Sequence, residues 1–232
     1  PLARPGEHAG GPPGPMSHQA TTSLRGLIYV GIAVLFFATS PVLTRWAAPL
    51  DHFQITFGRM GVAAVALWLA IAIRRQPLDL AAGDLPRFAL YSLSCALHFL
   101  LYVASLSYTT IAHSLALVYT APIFVTILAA ILLGERIAPR QYWGLGIAVL
   151  GVGLLAGFEP TMNASMAVGD VLALGSALCF GCYSVIGRRE RTRYSLLTYA
   201  GAMYGGATVW LALPLIARPV GVEAPFSAIL AV

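Results

Sequence analysis

The sequence predicts an all-α integral membrane protein with seven complete transmembrane helices and the start of an eighth. Three observations carry that prediction. The chain is 58% hydrophobic and only 10% charged, whereas a soluble domain carries about 25% charged residues. Its apolar residues fall into seven runs, about 26–46, 52–73, 87–108, 112–133, 140–158, 168–187 and 196–216. Each is near the ~20 residues that cross a bilayer. The arginines gather at alternate ends of those runs. Loops between the runs are short, so neighbouring helices are expected to pack antiparallel.

The elements follow in order. Residues 1–24 are rich in Pro and Gly and read as a disordered tail, with Met16 the expected start. Arg25 before an apolar run has the outline of a signal peptide. More apolar runs follow at once, so the first is expected to be a retained helix. The second run carries Arg59 and the third a stripe of polar residues. Pro41, Pro122 and Pro214 lie within runs, and each removes a backbone donor and can bend its helix. Whether Pro122 is a hinge or a fixed bend stays open. Gly153-x-x-x-Gly157 and Gly201-x-x-x-Gly205 are spaced to let helix backbones approach. The eighth run begins near Pro225, and the chain is expected to be a piece of a longer protein.

Charge gives orientation. With a cytoplasmic N-terminus, the inner ends hold Arg25, Arg74, Arg75, Arg87, Arg136, Arg140, Arg188, Arg189, Arg191 and Arg193. The outer ends hold Arg45 and Arg218. Positive charge collects on the cytoplasmic side, so the N-terminus is expected inside. The net charge of +5 is spread between apolar blocks, which argues against a nucleic-acid partner. Cys95, Cys179 and Cys182 sit in apolar runs and read as small packing residues. No metal or cofactor is expected.

An internal repeat is visible at an offset of 143 residues. Leu35, Phe37, Val42 and Arg45 align with Leu178, Phe180, Val185 and Arg188. Gly58, Met60 and Ala64 align with Gly201, Met203 and Ala207. Five helices per repeat is an odd number, so a second copy would be inverted, the arrangement that builds alternating-access transporters.

The stretch "YTTIAHSLALVYTAPIFVTILAAILLGERIAPRQYWGLGIAVLGVGLL", Tyr108 to Leu155, resembles the EamA domain of the drug/metabolite transporter superfamily. "FFATSPVLTRWA" and "FQITFGRMGVAAVAL" are similar to that family's first two helices. The resemblance implies ten helices in two inverted five-helix halves, here a first repeat over 25–158 and an incomplete second over 168–232. It implies a secondary transporter or exporter of small polar metabolites: amino acids, amines, carboxylates or drugs. A bacterial inner membrane is the expected location. Partners would be the lipid bilayer and a small-molecule substrate, with a homodimer left open. A lipid-carrier or lipid-metabolite flippase is the second reading. An intramembrane enzyme is the third, and it lacks paired catalytic groups in a recognisable context.

The candidate site rests on polar residues inside these runs. Arg59 lies eight residues after Asp51, about 12 Å along a helix. It reads either as a snorkelling cation paired with Asp51 or a carbonyl, or as an anion-recognising group. Tyr91, Ser94, His98, Tyr102 and Ser105 recur at spacings of three and four, on one helix face. That face is expected to meet other helices or substrate. His98, with an unperturbed pKa of about 6.5, is expected to tune the pH dependence. Tyr119 and Thr120 precede Pro122 on a helix that the resemblance places beside the cavity. Tyr183 belongs to a smaller polar face with Ser176 and Cys179, and His113 is expected at the outer interface. No acidic residue is expected in the hydrocarbon, Asp170 included. Glu135 is expected to stop the fourth helix through an inner-face ion pair, with Arg136, Arg140 and the Arg188–Arg193 cluster on its side.

Overall fold

A computed structural model gives the fold and describes residues 24–157 and 163–217. The tail up to Ser23, the start at Met16, Glu159 and the run near Pro225 lie outside the described residues. The chain divides into two compact units, 1–39 and 40–232. The described part of the first is one helical run, residues 24–39, the greater part of α1 (Leu24–Trp46). The second unit holds the rest of α1 and every other described element. These are α2 (His52–Ile73), a 3-10 turn (Ala82–Asp84), α3 (Leu85–Ser105), α4 (Ile111–Val118) and α5 (Ala121–Leu133). They continue with α6 (Pro139–Gly157), α7 (Ala164–Glu190) and α8 (Leu196–Ile216).

Among the described residues, six spans are long and apolar enough to cross a membrane. They correspond to α1, α2, the 3-10 turn with α3, α4 with α5, α7, and α8. The run expected over 140–158 forms α6, which is not one of the six. The fourth run is broken at Tyr119-Thr120. Pro122 falls in the first turn of α5, where its missing N–H would be unpaired in any helix.

Helix ends are set by local chemistry. Asp51 Oδ1 accepts from the N–H groups of Phe53 (2.8 Å) and Gln54 (2.9 Å), and Gln54 Oε1 accepts from Asp51 N–H (3.0 Å). This capping box starts α2. Thr110, Asn163 and Ser195 cap α4, α7 and α8 through side-chain oxygens. At the end of α5, Gly134 adopts φ 68°, a left-handed conformation that favours glycine. It lets Glu135 N–H reach back to Ala129 C=O at 3.3 Å. That geometry is the structural meaning of the Leu-Gly-Glu ending.

The helices of the second unit pack around α3 and α7. α7 presents small residues to its neighbours, with Ala173, Ser176 and Ala177 fully buried. A Cβ on Gly181 would stand 2.9 Å from Phe124 Cβ of α5, so only glycine permits that approach. On α8, Gly201 and Gly205 lie under Ile71 and Trp68 of α2, as their spacing predicts. At Gly153 an added Cβ would meet nothing within 4 Å among the described residues. One apolar cluster joins Ala47, Ile55, Tyr102, Val103, Leu117 and Ala173. A second joins Met60, Cys95, Ala96, Met203, Ala207 and Leu211 across α2, α3 and α8.

Candidate functional site

Arg59 projects from the middle of α2 and is largely buried. Its Nη2 donates to Ser40 Oγ at 2.7 Å and its Nη1 to Thr44 Oγ1 at 3.1 Å. The expected pairing with Asp51 is not what forms, because that carboxylate is committed to the α2 cap. Among the described residues no carboxylate forms an ion pair with Arg59. The guanidinium carbon stands 6.0 Å from the centre of the Phe99 ring, a cation–π distance. Tyr102, Tyr204 and His98 lie within reach of its charge. Arg59 is therefore a desolvated cation held by neutral hydroxyls and faced by aromatic rings from α3 and α8.

The α3 stripe meets other helices. Ser94 Oγ donates to Cys179 C=O at 3.1 Å. His98 Nδ1 lies 3.0 Å from Ser176 C=O and 2.9 Å from Ser176 Oγ, and Ser176 Oγ in turn donates to His98 C=O at 2.9 Å. An Nδ1–H donor satisfies that arrangement. Tyr91 O–H donates to Glu190 Oε1 at 3.1 Å, and Ser105 Oγ meets Ser114 Oγ at 2.6 Å. The stripe thus fastens α3 to α7 and α4. An aromatic cage surrounds His98: Phe99 at 4.7 Å, Phe180 at 5.2 Å and Tyr183 at 5.6 Å between ring centres.

The predicted site residues therefore separate into two kinds. Arg59, His98, Tyr102 and Tyr183 gather around Phe99 and Phe180, and Tyr119, exposed at the α4–α5 break, lies within electrostatic range of Tyr102. Ser94 and Thr120 commit their hydroxyl protons to backbone carbonyls, Thr120 to Leu117 at 2.6 Å. Glu135 pairs with Arg188 of α7 at 3.4 Å, rather than with Arg136 or Arg140. Both partners are about half exposed, 51% and 45%. Arg136 lies in the link between α5 and α6 and Arg140 in the first turn of α6, whereas the α5 and α7 termini come together.

His113, expected at the outer interface, sits in the first turn of α4 and is 1% exposed within the protein. Asp170 stands beside it and further into α7 than expected: its Oδ1 lies 2.9 Å from His113 Nδ1, with the Asp170 side chain 18% exposed. α7 begins at Ala164, ahead of the expected 168, so Asp170 lies about 10 Å beyond the Asn163 cap. The cap signal at Asn163 would have revealed this. Glu190 is also buried, 4% exposed, beneath Tyr91.

The cavities lie elsewhere. One of about 540 Å³ is lined by Trp68, Leu85, Phe88, Gly201 and Leu213, and one of about 680 Å³ by Phe57, Ala64, Trp68 and Thr208. Both are apolar and neither includes Arg59 or His98.

Comparison with known proteins identifies the family. The model of the EamA-like transporter family matches residues 24–157. The pseudopaline exporter CntI of Pseudomonas aeruginosa, in strains UCBPP-PA14 and PAO1, is 28% identical over 193 residues. That alignment covers 82% of this chain and 66% of the exporter, so the chain spans just under two thirds of those relatives' length. The uncharacterized transporter YoaV of Bacillus subtilis is 26% identical over 134 residues, 57% of this chain and 46% of its own. A crystal structure with 22% identity superposes with a TM-score of 0.64, covering 86% of this chain and 70% of that one. At that identity it supports the fold. With most of the chain matched by one family model, this protein belongs to the EamA-like transporter family.

Proposed function

We propose that this chain is part of a secondary transporter that exports small polar metabolites carrying an anionic group, such as amino acids and carboxylates. The observation that carries the reading is Arg59. A cation held partly buried without a counter-charge is costly, and the hydrogen-bond partners of Arg59 here are the two hydroxyls of Ser40 and Thr44. A substrate carboxylate would complete the guanidinium, which offers five donors in a planar fork. Phe99, Tyr102 and Tyr204 would cover the remainder of a small molecule. Family membership and the exporter relative support the transport class. The two-halves arrangement, ten helices in inverted repeats, supplies the alternating-access mechanism, with the N-terminus and the Arg-rich helix ends in the cytoplasm of a bacterial inner membrane. A lipid-metabolite flippase is the second reading, favoured by the apolar clefts on either side of Trp68.

Counterflow in proteoliposomes tests it, with radiolabelled L-glutamate, succinate and putrescine as probes. Exchange of an anionic probe is expected, reduced at least tenfold by Arg59→Ala while the variant still inserts. Exchange of putrescine alone, or unaltered exchange by Arg59→Ala, overturns the anion reading. Scrambling of a fluorescent lipid with no probe exchange would favour the flippase.

A further inference from the structure

At the end of the second unit opposite the Arg-rich helix ends, a cleft of about 220 Å³ opens between α1, α2 and the link from α3 to α4. Its floor is apolar, with Ile55 and Leu106 buried beneath it. Its rim is polar: Arg45, Asp51, His52 and Ser107. Thr44 also lines it, and Thr44 Oγ1 accepts from Arg59 Nη1 at 3.1 Å. One hydroxyl therefore joins the Arg59 site to this cleft.

The two charges of the rim are fixed in place without being spent on each other. Arg45 Nη2 donates to the carbonyls of Thr109 (2.6 Å) and Leu106 (3.2 Å), just past the end of α3. Its Nη1 and Nε take no part in those bonds. Asp51 Oδ1 accepts both N–H groups of the α2 cap, and Oδ2 takes no part in them. Among the described residues neither Arg45 nor Asp51 forms an ion pair. A guanidinium with donors to offer and a carboxylate with lone pairs to offer thus share one small cleft.

Such a pair selects by charge. A lone anion is attracted by Arg45 and opposed by Asp51, and a lone cation meets the reverse. A zwitterion suits both: its carboxylate takes the Nη1–Nε edge of the guanidinium and its ammonium group takes Asp51 Oδ2, each in a charge-assisted hydrogen bond. The volume is below the about 300–1,000 Å³ of pockets for drug-sized ligands, so the ligand is small. We propose that this cleft binds a small zwitterion of the α-amino acid class, with Arg45 on its carboxylate and Asp51 on its ammonium group. A carboxylate released by Arg59 then finds a second cation next to the hydroxyl it leaves. That place on the transport path rests on the reading above; the binding site does not.

Equilibrium binding of radiolabelled L-serine to the protein in lipid nanodiscs tests the site. L-lactate, which lacks the ammonium group, and ethanolamine, which lacks the carboxylate, are the matched probes. Asn caps a helix as well as Asp does, and Gln can still donate to a carbonyl, so Asp51→Asn and Arg45→Gln keep the local structure. Each is expected to weaken serine binding at least tenfold. Lactate binding is expected to rise with Asp51→Asn and ethanolamine binding with Arg45→Gln, a crossed pattern that a general loss of structure does not produce. Arg59→Gln removes the charge on α2, and serine binding is expected to persist in it. Serine binding that is absent from the parent, lost with Arg59→Gln, or unaltered by both rim variants overturns the site. Absence of counterflow in the parent with every probe would fail the transport reading, and the serine measurements would still decide the site.

Discussion

The α3–α7 and α2–α8 seams are built in opposite ways. Across α3–α7, Tyr91, Ser94 and His98 each reach a polar atom of the facing helix. Across α2–α8, Gly201 and Gly205 let Ile71 and Trp68 settle close to a backbone. The recorded side-chain bond there, Gln76 to Ser195, lies at the end, outside both helices. Hydrogen bonds fix distance, angle and register together. Close apolar contact fixes distance and leaves sliding cheap. The α3–α7 seam is therefore the rigid one, and α2–α8, flanked by apolar clefts, is where relative motion should cost least.

The comparison breaks most visibly at Ser176. Ser176→Leu overfills a fully buried position and strips His98 of a partner, so a loss of ~2–5 kcal/mol is expected. Thermal unfolding of the variant in detergent should show it, if the protein accumulates at all. Gly205→Leu meets chiefly the far end of Trp68, at 3.1 Å, and should cost about 1–2 kcal/mol. A larger loss there than at Ser176 would invert the ranking of the seams. The two buried histidines sharpen the contrast in another way. His98 faces the Ser176 hydroxyl and carbonyl, whereas His113 lies beside the Asp170 carboxylate. His98→Gln should lower stability by about 1 kcal/mol, and an unchanged pH profile of transport in that variant would reject the tuning role expected of His98. The smallest effect is expected from Glu135→Gln. An exposed pair at 3.4 Å is worth ~0–1 kcal/mol, so unfolding temperature should barely move.

Much of the fold is legible in the chain because it depends on local chemistry. The spans follow from apolar runs, and the fourth run's break follows from Pro122. The α3 stripe is legible as a face, since spacings of three and four place its residues together. Its partners are not. The sequence reading leaves Arg59 open between Asp51, a carbonyl and substrate, and Ser40 and Thr44 hold it instead. It keeps His113 and Asp170 apart because it starts the α7 span at 168 and treats both as end residues.

What the sequence alone determines here is whatever is decided within about four residues or one membrane thickness. Asp51 and Gln54 close a cap on each other, Gly134 ends a helix, and a ~20-residue apolar run must be helical because lipid satisfies no backbone group. What only the tertiary structure decides is which side chains meet across helices. His98 and Ser176 are 78 residues apart and Tyr91 and Glu190 are 99. Their meeting depends on the rotation and depth of each helix against its neighbours. Those are set by the small residues of α7 and the glycines of α8, through the sum of many packing contacts and not through any single spacing in the chain.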